Sequence, residues 1–188
     1  MLYLITGGSA SGKSEYAENL AVRKHKEQFP NGKLIYGAFM YPYDEECRRR
    51  IYRHRVMRKE KGFETVEPYV CREDFSVEKE DVLLIECMSN LLANEMYLDG
   101  GFAKRHPESG ILNLAKIIPS YVKRLEEAAG CVIVVTNEIF TDLMPEDCEM
   151  QAYVWMLGQI NQKLTKISYG AVEVVCSIPV WLKGEEGC

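Results

Sequence analysis

Long apolar runs are missing from this chain. The longest are of the order of Cys131-Val132-Ile133-Val134-Val135, whereas a helix needs roughly 20 apolar residues to cross a bilayer. No membrane segment is expected. A basic stretch ahead of the first apolar residues is missing too, so no secretory leader is expected. The seven cysteines contain no CxxC pair, and their number is odd. Together these features point to a cytoplasmic protein with reduced, mostly buried thiols and no zinc site, Cys188 alone being exposed by its position. Repeats, low-complexity tracts and Pro/Ser linkers are also lacking. Histidine is scarce, at positions 25, 54 and 106 only. Nor is there an excess of positive charge. The net charge of -5 argues against a general nucleic-acid binder.

What is present is alternation. Strand-like runs at 2–6, 33–37, 82–86, 131–136 and 171–177 are separated by helix-length stretches at 13–28, 44–61, 89–98, 111–129 and 148–168. Strands alternating with helices imply an α/β fold, a mostly parallel sheet with helices on both faces. The Pro/Gly-rich stretch 99–110 is expected to be a loop. At 188 residues the chain is long enough for one domain, 1–188, with a real core.

The first turn of that alternation is Gly7-Gly8-Ser9-Ala10-Ser11-Gly12-Lys13-Ser14. It fits GxxxxGK[ST], and it lies between a strand and a helix as that motif requires. Small residues let the backbone curl until its N–H groups converge on phosphate oxygens. The helix N-terminus adds the positive end of its dipole. Lys13 brings a cation to the outer phosphates, and the Ser14 hydroxyl suits Mg²⁺. The expected ligand is GTP or ATP, and the expected class is P-loop NTPase-like.

A second feature is basic. Between Arg48 and Lys61 stand eight Lys or Arg residues against one acid, Glu60. On a helix, Ile51, His54, Arg55 and Arg58 fall near one stripe. Such a stretch is a solvated face, a nucleic-acid patch, or a second polyphosphate site, because Arg forks phosphate at two points. A neutral imidazole within it is competent to attack phosphorus, although a lone histidine is more often structural. A third feature is the apolar strand ending in Glu86. Its carboxylate suits Mg²⁺, directly or through water, or else caps the next helix. A fourth is Asn137-Glu138 at another strand end, either lining a ligand crevice or making a structural turn.

Taken together, these segments resemble the bifunctional adenosylcobinamide kinase / adenosylcobinamide-phosphate guanylyltransferase family of cobalamin biosynthesis. Gly7–Ser14 matches its GG-x-x-SGKS loop, and Arg50-Ile51-Tyr52-Arg53-His54-Arg55 its RI-x-x-HR element. Phe63–Glu67 is similar to W-x-T-x-E. Glu86-Cys87-Met88-Ser89 and Asn94 are similar to [DE]-C-x-T and the Asn that follows. Thr136-Asn137-Glu138 with Pro145-Glu146, and Gly158–Gln162, match two further elements. The resemblance implies a kinase step on the aminopropanol hydroxyl of adenosylcobinamide. It also implies a guanylyl step in which His54 carries GMP from GTP as a phosphoramidate. It implies nucleotide contacts at Gly37, Ala38, Phe39, Arg55, Glu67 and Glu86, and a homotrimer. Two segments depart from the pattern. Ile139–Met144 replaces V-G-x-G-I-V, and Gln151–Trp155 replaces R-x-FRD.

Overall fold

The computed structural model describes residues 1–72, 75–108, 110–141 and 143–184. One sheet gathers strands from both ends of the chain. They are β1 (Leu2–Thr6), β2 (Leu34–Ala38), β3 (Glu64–Val66), β4 (Val82–Glu86), β5 (Cys131–Val135), β6 (Gly170–Val175) and β7 (Ile178–Lys183). Their order is β3-β2-β4-β5-β1-β6-β7. Every pairing is parallel except β6 with β7. The helices are α1 (Lys13–Gln28), α2 (Glu45–Arg58), α3 (Met88–Tyr97), α4 (Phe102–Arg105), α5 (Gly110–Ala128) and α6 (Cys148–Ile167).

The inner strands β1, β2, β4 and β5 are buried on both sides because both sides are covered. In β1, Leu2 and Leu4 join the core under α3, α5 and α6, while Tyr3 and Ile5 join the core under α1. That is the two-residue alternation of a strand buried between two helical layers. The resulting fold is a P-loop α/β fold, with the glycine-rich loop joining central strand β1 to α1.

Helix α2 is built differently. It has no apolar stripe, and charge at its ends holds it together. Asp44 accepts a hydrogen bond from Cys47 N (2.7 Å), which keeps the Asp44 carboxyl below its ordinary pKa. Glu45 and Glu46 occupy the first turn and Arg55 and Arg58 the last, complementing the helix dipole.

Four local features differ from the sequence expectation. Residues 102–105, within the expected loop, form α4. Its start is pinned by Glu95, which accepts from Phe102 N (2.7 Å). The run 171–177 ends early, at Val175. Cys176 and Ser177 both take positive φ (50° and 66°), and the chain reverses into β7. Strand β3 is three residues long and gains its order from pairing with β2. Cys148 and Cys176 are exposed, whereas Cys71 and Cys131 are buried; Cys188 lies outside the described residues. Among the described residues no helix is long and apolar enough to cross a membrane.

Candidate phosphoryl-transfer site

The glycine-rich loop is held in place from three sides. Glu138 N donates to Gly7 O (3.0 Å), Ser11 N to Gly8 O (3.3 Å) and Ser177 N to Ser11 O (2.8 Å). Gly12 sits at φ 90°, a left-handed conformation that costs an L-residue about 1–2 kcal/mol. Space is short there as well, because a Cβ on Gly12 would lie 2.6 Å from Ser177 Oγ and 3.2 Å from Ser177 Cα. Ala10 adopts φ 56° without being glycine, local strain of the kind that collects at binding loops. No side chain caps the first turn of α1, and uncapped helix-start amides are the kind of group that receives an anion. Lys13 Nζ donates to Gly8 O (2.9 Å). Burial lowers the Lys13 pKa, and the nearby Cys87 opposes that shift.

This loop opens onto a cavity of about 360 Å³. Ser9, Ala10, Lys13 and Ser14 form one wall, and Arg50 and His54 of α2 form another. Glu86, Asn137 and Glu138, at the carboxyl ends of β4 and β5, form the floor. The lone histidine of the basic helix and the phosphate loop thus share one space, though 40 residues separate Ser14 from His54. His54 Nδ1 lies 3.8 Å from Glu86 Oε1. Glu86 is buried. The N-cap position of α3 is Cys87, whose side chain makes no cap bond. The alternative open at Asn137-Glu138 is resolved by hydrogen bonds. Glu138 accepts from Phe140 N, Thr141 N and Thr141 Oγ1 (2.8, 3.2 and 3.0 Å), and Asn137 donates to Ser89 Oγ (2.8 Å). That pair shapes a turn while lining the cavity.

A narrow crevice behind His54 holds the rest of the basic stripe. Ala38, Ile51, Arg55, Arg58, Glu67 and Glu86 line it. Arg55 is ion-paired to Glu67, which also accepts from Tyr69 OH (3.3 Å). Of Gly37, Ala38 and Phe39, at the end of β2, Ala38 faces this crevice. Phe39 buries its ring in the core, and Gly37 lines neither space, so Phe39 is available only through its backbone. Its carbonyl accepts from Asn94 Nδ2 (2.7 Å), which also donates to Tyr69 O (2.9 Å). Gly7, Gly8, Ser11 and Gly12 set the course of the loop but do not line the cavity. Arg53 points elsewhere, into an outer groove with Glu45 and Glu46.

Tyr36 was not singled out by sequence. It is buried and carries the Arg58 guanidinium 3.5 Å above its ring. Burial, and then the negative charge of Glu86, push its hydroxyl pKa far above the ordinary value. Within an apolar strand it reads as core, and nothing in the sequence reveals that its hydroxyl reaches the site. The two divergent segments make contacts of their own. Gln151 Nε2 donates to Pro145 O (2.8 Å) and Tyr153 OH to Ser89 O (3.2 Å). Phe140 lies against Gly158, and Trp155 is exposed; Asp142 lies outside the described residues.

Residues 3–182 match the family model described as cobinamide kinase / cobinamide phosphate guanyltransferase. The bifunctional adenosylcobalamin biosynthesis protein CobU of Escherichia coli K12 is 27% identical, over 97% of this chain and 100% of that one. CobU of Salmonella typhimurium LT2 is 26% identical over the same shares. CobP of Pseudomonas aeruginosa PAO1 is 28% identical over 97% of each chain. With nearly the whole length matched, this chain belongs to the cobinamide kinase / cobinamide phosphate guanyltransferase family.

Proposed function

We propose that this chain is a nucleotide-dependent transferase of cobalamin biosynthesis. In this reading it phosphorylates adenosylcobinamide and then transfers GMP from GTP to the resulting phosphate through His54. One observation carries the reading: His54 and the Lys13 loop line the same cavity. In the guanylyl step an imidazole nitrogen bonds to the α-phosphorus of GTP. The bond from that phosphorus to its bridging oxygen breaks, and pyrophosphate leaves with the electron pair. A phosphate oxygen of the acceptor then displaces the imidazole, restoring His54. Glu86, 3.8 Å from Nδ1, turns the ring so that Nε2 faces the phosphorus and receives positive charge as the P–N bond forms. Arg50 and Lys13 stabilise charge on the phosphoryl oxygens.

The Ser14 hydroxyl and Glu86 carboxylate are hard oxygen donors on one cavity. They fit Mg²⁺ completed by phosphate oxygens and water rather than by a protein cage. When bound, the ion neutralises charge on the transferring phosphates. Ser14 and Glu86 would hold it. By family resemblance the working unit is a homotrimer, which sedimentation of the purified chain tests.

GTP labelled on the α-phosphate tests the histidine step. The expected result is protein labelling that is labile in acid and stable in base, is mapped to His54, and is absent in His54→Asn. Kinase activity should survive in that variant, because it needs the Lys13 loop but no histidine. Label on His25 or His106, or undiminished label in His54→Asn, overturns the step. Phosphate transfer without any label leaves a simple kinase instead, and tight GTP binding without either leaves a regulatory GTP-binding protein.

A further inference from the structure

A second cationic cleft lies on the other side of α3. It is a cavity of about 620 Å³ and shares no lining residue with the cavity or crevice around His54. Four cations from three parts of the chain converge on it: Arg72 before β4, Arg105 of α4, and Lys116 and Arg124 of α5. Among the described residues none of the four is ion-paired to a carboxylate. The one acid that lines the cleft among the described residues, Glu95, is 1% exposed. Its two oxygens are already committed, one to Cys71 N (2.5 Å) and the other to Phe102 N (2.7 Å). Glu95 therefore ties together the two walls that carry Arg72 and Arg105, and its single negative charge faces four positive ones.

The floor is aromatic and aliphatic, from Phe102, Tyr121 and Ile117. The Arg105 and Arg124 guanidiniums lie 5.8 and 5.9 Å from the Phe102 and Tyr121 ring centres. Arg105 Nε is bonded to Gly100 O (3.0 Å), which orients its fork. Two guanidiniums beside aromatic rings, one of them oriented by Gly100 O, suit a dianionic phosphate attached to a flat apolar group, since guanidinium pairs bidentately with phosphate and stacks on π faces. Among the described residues four cations face one acid in this cleft, an excess of positive charge that a bound anion would relieve.

We propose that this cleft is a second ligand site, for a phosphomonoester bearing a flat apolar group, separate from the transfer site. The test uses 1-naphthyl phosphate and inorganic phosphate as probes, titrated into full-length Lys13→Ala and followed by amide chemical shifts. That background weakens anion binding at the glycine-rich loop, so the outcome does not depend on the proposed transferase reaction. Expected are saturable shifts at Cys71, Ile117 and Ser120, with 1-naphthyl phosphate bound at least about tenfold more tightly than phosphate because its ring leaves water. The Arg72→Gln/Arg124→Gln double variant should lose those shifts while keeping its unfolding midpoint. Should that pair fail to fold, Lys116→Gln alone should still weaken binding severalfold. Shifts confined to residues 7–14, equal affinity for the two probes, or undiminished binding in the folded arginine variant would overturn the proposal.

Discussion

Gly12→Ala isolates the contact between the glycine-rich loop and the last hairpin. Gly12 holds φ 90°, where a Cβ costs about 1–2 kcal/mol from backbone strain alone. The same Cβ would meet Ser177 Oγ at 2.6 Å, Cα at 3.2 Å and Cβ at 3.3 Å. The hydroxyl can rotate away, but the Cα belongs to a two-residue turn and cannot move without shifting the β6–β7 hairpin. Forced overpacking of that kind adds about 1 kcal/mol or more, so the variant should lose about 2–3 kcal/mol of stability. The crowding component should be recovered in part by Ser177→Gly, which removes Oγ and Cβ and suits a φ of 66°. Urea unfolding of the two single variants and the double variant forms a cycle, with an expected favourable coupling of about 1 kcal/mol. A loss below about 0.5 kcal/mol in Gly12→Ala would mean that the loop relaxes freely. Additivity within about 0.3 kcal/mol would mean that hairpin and loop do not touch.

Lys13→Ala should lower turnover by about 100- to 1000-fold through lost charge stabilisation of the transferring phosphate, and unchanged GTP turnover would remove the loop from the reaction. Burial disfavours the charged form of Lys13, so the folded chain sheds that proton at a lower pH than an exposed lysine. GTP affinity should then fall as pH rises through that lowered value, below the ordinary 10.5, and Lys13→Ala should flatten that alkaline limb. Asn94→Leu removes the donor that Phe39 O and Tyr69 O share, so it should cost about 2–4 kcal/mol in urea unfolding; a cost under about 1 kcal/mol would show that other donors take over. Iodoacetamide at neutral pH should modify the exposed Cys148 and Cys176 first. Cys131, buried with its pKa pushed up to about 11, should stay silent until the chain unfolds, as mass spectrometry of digests will show.

The sequence by itself determined the elements whose signals are local. Alternating apolar strands and helix-length segments produced β1, α1 and β4 with their observed ends, because a strand buried on both faces must be continuously apolar. The glycine-rich loop was legible because its chemistry resides in consecutive residues. The stripe of Ile51, His54, Arg55 and Arg58 followed from helical spacing, and it is the stripe that lines the crevice. Tertiary structure decided what depends on partners distant in the chain. Strand β3 exists through its pairing with β2. The β6–β7 turn uses Cys176 and Ser177 at positive φ, without the Asn-Gly or Gly-rich signature that makes such hairpins readable. That Glu86 stands 3.8 Å from His54 depends on where the basic helix packs, which no local pattern gives. Tyr36 and Asn94 act through buried hydrogen-bonding groups whose direction is set by packing, and no local pattern encodes where a buried polar atom points. Only the folded sheet brings the end of β4, the basic helix and the first loop to one edge, because a parallel sheet gathers the carboxyl ends of strands far apart in sequence.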